Sequence, residues 1–269
     1  MNQTNKQTWD FLLALRDTIG SVYGSEDLAV LLYSLTKRER PQCILELGAG
    51  LGVCSFWMAH ALRENGTGQL WSFDDGTHFG SCKDLHEGLK QLGTHLKLNT
   101  LFNDHLSYSD YFTEITSLLK LEKHLTLILE TINFERNMIK PHWPFLEQPI
   151  DWIFSDIQHG PKDIILLLAE FLPFLASCSS IFIDSASTSL VSYLALERTI
   201  EQLNRGHIPC QFLAIKSEKQ RSRLFELVHQ RKFTLMHLIE RKNRAQNSTA
   251  WIRIEPIDFI PHPQTSMRY

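Results

Sequence analysis

The segment Glu46-Leu47-Gly48-Ala49-Gly50-Leu51-Gly52 sets three glycines at alternate positions behind a carboxylate. Glycines let the chain turn tightly and let a ligand lie close to the backbone. A helix that opens directly after such a loop offers unpaired N–H groups. A dinucleotide loop spaces its glycines GxGxxG, which would need glycine at position 53, where the chain has Val53. The GxGxG spacing behind an acid suits S-adenosylmethionine better than NAD. A P-loop is excluded, because no Gly-Lys-Ser or Gly-Lys-Thr follows. The cofactor-binding candidates are therefore Glu46, Gly48, Ala49, Gly50 and Gly52. Asp74 closes the next apolar run, where an acid would accept hydrogen bonds from the two ribose hydroxyls, and Asp75 competes for that place. A bare GxG is equally an ordinary tight turn; strand, loop, helix, strand and acid together point to a ligand.

A second group of chemical residues follows. Asp156 and His159 lie just before Pro161, and Asp184 ends the run Ser180-Ile181-Phe182-Ile183. His159 is a candidate general base, since imidazole titrates near neutrality. Asp156 could orient that ring, hold an acceptor, or join Asp184 in binding a cation. The structural alternative is that Asp156 or His159 caps the helix that Pro161 begins.

These residues need elements to position them. Two helical stretches occupy residues 6–36, with a break at Gly24-Ser25-Glu26, and Pro41 ends the second. Cys43 to Leu47 reads as a short buried strand, Val53 to Arg63 as a helix and Gln69 to Asp74 as a second strand, which makes a βαβ unit. Between Asp75 and Gln148 the pattern is irregular. Lys83 to Leu92 and Tyr111 to Leu121 are helical, Thr126 to Glu130 is a strand, and His142-Trp143-Pro144-Phe145 is a rigid aromatic loop. Ile150 to Asp156 and Ser180 to Asp184 are strands with acidic ends, followed by helices over Ile164–Leu172 and about Leu190–Leu203. Phe233 to Ile239 and Ala250 to Ile254 form a closing hairpin. The expected fold is a doubly wound, Rossmann-like α/β sheet of seven mostly parallel strands with a C-terminal antiparallel hairpin. Residues 1–40 would be an N-terminal helical cap on a domain covering 41–269, with an irregular insertion within 75–150.

Composition narrows the partners. The 269 residues carry 27 Lys+Arg against 30 Asp+Glu, which excludes a polybasic arm as the main feature. No apolar run approaches the ~20 residues of a membrane helix, and the start MNQTNKQTWDF lacks the basic and apolar regions of a signal peptide. Five cysteines, odd in number and never in CxxC, argue against disulfides or structural zinc and for a reducing, cytoplasmic setting. Lys216 to Arg244 holds nine Lys/Arg against three Glu, a basic stretch that would be a solvated face or a surface for an anionic partner.

The segment CILELGAGLGVCS resembles the first motif of class I S-adenosylmethionine-dependent methyltransferases, in the vLEiGxGxGxS form of small-molecule O-methyltransferases. DWIFSDIQHG, then a helix and SIFIDSAS, is similar to a later stretch of the same group. The likeness covers about Pro41–Asp75 and Asp151–Ser187. It implies a seven-stranded sheet, S-adenosylmethionine as methyl donor, and a small-molecule acceptor methylated on oxygen or nitrogen. In metal-dependent members acids at such strand ends hold Mg²⁺, but Gln158 and Ser185 stand here where further ligands are expected. The alternatives are RNA or protein methylation through the 216–244 stretch, or an inactive cofactor-binding subunit. The Asn/Asp-Pro-Pro-aromatic tetrad of base amino-group methylation is absent. A homodimer is a further partner to test; a membrane is not expected.

Overall fold

Glu46 is the only charged residue in Cys43–Leu47 (β1), and every residue of that strand is buried. Only a strand covered by helices on both faces has that pattern. The computed structural model describes residues 3–23, 26–81, 87–88, 90, 92–93, 107–134, 139–140, 143–214, 216–239 and 248–257. The break at Gly24-Ser25, His142, and Glu240 to Arg244 lie outside them, as does much of the expected 83–92 helix. Six further strands are Gln69–Asp74 (β2), Leu125–Leu129 (β3), Ile150–Ser155 (β4), Leu175–Asp184 (β5), Arg231–Ile239 (β6) and Ser248–Pro256 (β7). They form one sheet in the order β3-β2-β1-β4-β5-β7-β6. β1 to β5 run parallel, while β7 pairs antiparallel with both β5 and β6. This is the doubly wound sheet with a closing hairpin that the sequence pattern predicts. The strand order reverses between β1 and β4, where such sheets open a crevice at their carboxyl edge.

Side chains alternate across β1 because a strand has a two-residue period. Ile44 joins a core with Phe56, Trp57 and Phe112, while Cys43, Leu45 and Leu47 join a second with Ile164, Leu168 and Leu196. The helices are Gln3–Tyr23 (α1), Glu26–Glu39 (α2), Val53–Asn65 (α3), Thr77–Ser81 (α4), Tyr108–Leu118 (α5), Pro161–Phe171 (α6), Leu190–Asn204 (α7) and Glu218–Gln230 (α8). α1 and α2 lie on α3, and Phe11, Leu12, Leu15, Leu28 and Leu32 enter the same core as Ile44 and Phe154. Residues in the expected cap thus share a core with the sheet.

The aromatic segment also packs inward. Trp143 and Phe145 are buried against Phe73, so they serve the core, as do Trp152 and Phe154. α8 is absent from the sequence-based expectation. It buries only Leu224, Leu227 and Val228 and is started by a Ser217–Gln220 capping box, whose reciprocal bonds satisfy two N–H groups at its start. Within the basic stretch, Lys216 is buried and paired with Glu170 at 3.1 Å, so it is not part of an exposed basic face.

Candidate active site

The loop after β1 hangs from the neighbouring strand. Gly48 and Ala49 both donate N–H bonds to the Phe73 carbonyl, at 2.8 and 3.1 Å, and Gly50 donates to Asp74 Oδ2 at 2.8 Å. The three glycines have different surroundings. A Cβ on Gly48 would lie 2.5 Å from the Asp156 carbonyl oxygen, and one on Gly52 would lie 2.4 Å from the Phe56 ring. A Cβ on Gly50 would meet nothing within 4 Å among the described residues. Two glycines are therefore required by the packing of the fold, and the third faces open space. α3 begins at Gly52 with no side-chain cap among the described residues, so its first N–H groups remain available to a ligand.

Three acids stand around this loop. Asp74, 9% exposed, accepts from Gly50 N–H through one oxygen and from Gly76 N–H, at 2.7 Å, through the other. Asp75 is exposed and turns back to accept the Thr77 N–H at 2.9 Å. Asp74 faces the glycine loop, and Asp75 faces away from it, toward its own turn and the Thr131 hydroxyl at 3.3 Å. Glu46 is fully buried, where its Oε2 accepts the hydroxyls of Ser55, at 2.5 Å, and Ser72. Its Oε1 has no partner among the described residues.

Burial pushes the Glu46 carboxyl up to about 7; the Ser55 and Ser72 hydroxyls pull it down, and Asp74 adds to the rise. The folded chain therefore holds a proton that the unfolded chain, with a glutamate near 4.3, releases. Stability is highest at the acidic end of this window and falls as pH rises through 7, by on the order of 3 kcal/mol. Thermal melts from pH 5 to 8 should show this decline in wild-type protein and a shallower one in Glu46→Gln, which keeps an amide in place of the protonated acid.

The second group assembles at the same edge. Asp156 follows β4, and its N–H donates to the Leu47 carbonyl at 2.8 Å, which fixes it beside the glycine loop. Its carboxyl is hydrogen-bonded to that of Asp184 at the end of β5. Burial first, and the neighbouring Asp184 charge second, raise Asp156 to about 8. Burial also raises Asp184, offset by hydroxyl bonds from Ser185 at 2.9 Å and Thr249 at 3.1 Å and by the nearby His159. Two like carboxyls in contact do not ionise together, so one proton is shared.

His159 stands in the loop between β4 and α6. Its carbonyl accepts the Ser192 hydroxyl at 2.9 Å, while its Nδ1 is buried with no partner among the described residues. The N-cap of α6 is Gly160 and carries no side-chain cap bond, so neither Asp156 nor His159 takes the capping role. As for Mg²⁺, the set comprises two carboxylates that already share a proton, with both oxygens of Asp184 accepting hydroxyls. Among the described residues no group of three or more His, Cys, Asp and Glu is arranged to hold a metal ion. A hard cation wants several free oxygen ligands, and this set fits one poorly.

Several site residues carry no local signal in the sequence. Thr249 reaches Asp184 only because β7 pairs with β5. Ser72 reaches Glu46 because the two sit opposite each other in the β1–β2 register. Tyr111, on α5, donates its hydroxyl to the Leu51 carbonyl at 2.9 Å, and Phe112 packs on Phe56, so α5 clamps the glycine loop from one side.

Residues 45–186, just over half of the chain, match the family described as Methyltransferase domain. No curated protein matches the sequence. Among solved structures, the O-methyltransferase TomG from Streptomyces achromogenes, in complex with SAM, aligns at 13% identity with a TM-score of 0.45, covering 91% of this chain and 89% of that one. The O-methyltransferase from Bacillus cereus, in complex with SAH, aligns at 10% identity with a TM-score of 0.44, covering 91% and 90%. A methyltransferase from Geobacter sulfurreducens aligns at 14% identity with a TM-score of 0.43, covering 91% and 88%.

Proposed function

The chain belongs to the methyltransferase-domain family, and from that premise we propose that it moves a methyl group from S-adenosylmethionine to an oxygen or nitrogen of a small-molecule acceptor. The observation that carries the reading is the open space over Gly50, whose N–H is held by Asp74 at the β1–β4 crevice. A donor lying on that backbone would have Asp74 within reach of its ribose and the free N–H groups of α3 at its carboxylate. Gly48, Ala49 and Gly52 shape the turn, and Glu46 supports it from below through Ser55 and Ser72.

The cofactor supplies a methyl already activated on a sulfonium, so the protein must align donor and acceptor and remove a proton. His159 is suited to that removal, since its Nδ1 is uncommitted and Asp184 stands close by. The Asp156–Asp184 pair holds one proton and can accept a hydrogen bond from the acceptor hydroxyl or amine. The carboxyl pair fits a hard cation poorly, and the scheme needs none. Turnover is therefore expected to survive a chelator, and loss of activity restored by Mg²⁺ would return the pair to a metal role. The odd cysteine count and the lack of any CxxC motif favour a reducing, cytoplasmic location. Among the described residues no helix is long and apolar enough to cross a membrane.

Calorimetry with S-adenosylhomocysteine and with NADH tests the cofactor. Micromolar binding of the former alone is expected, and Asp74→Ala should weaken it about tenfold, whereas Asp75→Ala should change it by less than twofold. NADH binding without S-adenosylhomocysteine binding would overturn the reading. Transfer of labelled methyl to a panel of phenols, catechols and amines then tests the acceptor class.

A further inference from the structure

Tyr108 opens the first turn of α5 and is 7% exposed, yet its hydroxyl has no hydrogen-bond partner among the described residues. The ring is held firmly. It packs edge-on to Phe112 at 5.9 Å and tilted against Phe79 at 5.7 Å, and a Cβ on Gly76 would meet it at 2.8 Å. Gly76 is the residue whose N–H bonds Asp74, so the base of the Tyr108 ring lies against the turn that holds that carboxylate, close enough for the Asp74 charge to act on the phenol. Burial first, then the charges of Asp74 and Glu46, raise its titration, so the oxygen keeps its proton. The adjacent Tyr111 shows the contrast: its hydroxyl is satisfied by Leu51.

A buried phenol without a partner costs free energy, because its hydroxyl has given up water and gained nothing in return. The cost is relieved if a ligand supplies the acceptor. We propose that the Tyr108 hydroxyl binds the cofactor, donating a hydrogen bond to the ribose side of the donor next to Asp74. This inference rests on the S-adenosylmethionine reading above. α5 then has two functions: Tyr111 and Phe112 clamp the glycine loop from within, and Tyr108 closes on the ligand. Asp74 only accepts hydrogen bonds, so a neighbouring donor lets the site bond both the hydrogen and the oxygen of a ribose hydroxyl.

The test compares wild type with Tyr108→Phe, using S-adenosylhomocysteine as probe in calorimetry and thermal melts of the ligand-free and ligand-bound protein. The expected result is a five- to thirtyfold weaker dissociation constant, with the ligand-free melting temperature unchanged or higher. A group that only supports the fold gives the opposite signature, a lower ligand-free melting temperature and unchanged affinity, and that overturns the proposal. Affinity and ligand-free melting temperature falling together also overturns it, by assigning Tyr108 to packing. If wild type does not bind S-adenosylhomocysteine, the cofactor reading fails and this inference with it. Normal wild-type binding with an unaltered Tyr108→Phe removes this inference alone.

Discussion

Replacing His159 with alanine is expected to lower methyl transfer by 10²-fold or more, with S-adenosylhomocysteine affinity changed by less than about twofold. The separation follows from where the residue stands. The glycine loop is held by Phe73 and Asp74, and His159 contributes nothing to that hanging. The His159 contact given by the structure is the Ser192 bond to its main-chain carbonyl, which alanine retains. The melting temperature should therefore stay near the wild-type value. The pH–rate profile supplies a second readout. A general base produces a fall in rate on the acid side, and that limb should disappear in the variant.

Asp156→Asn separates the neighbouring roles. An amide can still donate to Asp184, and it removes the carboxyl that burial and the Asp184 charge hold protonated. Stability should fall less steeply than in wild type as pH increases toward 8, because the ionisation of Asp156 is gone while that of Glu46 remains. Turnover should fall if the acceptor is held by the pair. Intact turnover in both variants would place proton removal in solvent and leave His159 and Asp156 without a catalytic role.

The legibility of this site follows from how local each contact is. β1, the glycine loop and α3 form one continuous segment, so alternation, glycine spacing and the helix start could be read together. Asp74, Asp156 and Asp184 were legible because each ends an apolar run, and parallel strands bring their carboxyl ends to one edge. Contacts set by strand pairing were not. Thr249 and Asp184 are 65 residues apart, and a threonine in an apolar run gives no sign of its partner. The same holds for Tyr108, which lies in the long connection between β2 and β3, where periodicity is weak. α8 was missed because only three of its side chains are buried, too few for a clear helical stripe. Trp143 and Phe145 read as a rigid aromatic loop, but aromatic rings mark loop and core alike, and here they cover the rings of Phe73 and Trp71.

Gly50→Val is expected to abolish measurable cofactor binding, a loss of at least 10²-fold, while Gly48→Ala is expected to damage the fold itself. The two residues lie two positions apart, and both sit in the left-handed region, at φ +51 and +90. That conformation costs an L-residue about 1–2 kcal/mol at either place. The difference lies in what a side chain would meet. At Gly48 a methyl group would lie 2.5 Å from the Asp156 carbonyl and 2.6 Å from the Ile157 Cγ2. Asp156 cannot easily retreat, because its N–H is bonded to Leu47 and its carboxyl to Asp184. Gly48→Ala should thus lower the melting temperature and disturb the acidic pair along with the loop. At Gly50 the methyl groups of valine enter space that is empty of described residues, so the circular dichroism spectrum should match wild type. The β-branched side chain adds strain at positive φ, and Gly50→Ala provides a milder control with the same direction of effect. A ligand lying on the loop backbone would collide with either side chain. Were Gly50→Val to bind S-adenosylhomocysteine normally, the donor would have to lie elsewhere, and the open face of Gly50 would be an ordinary exposed turn.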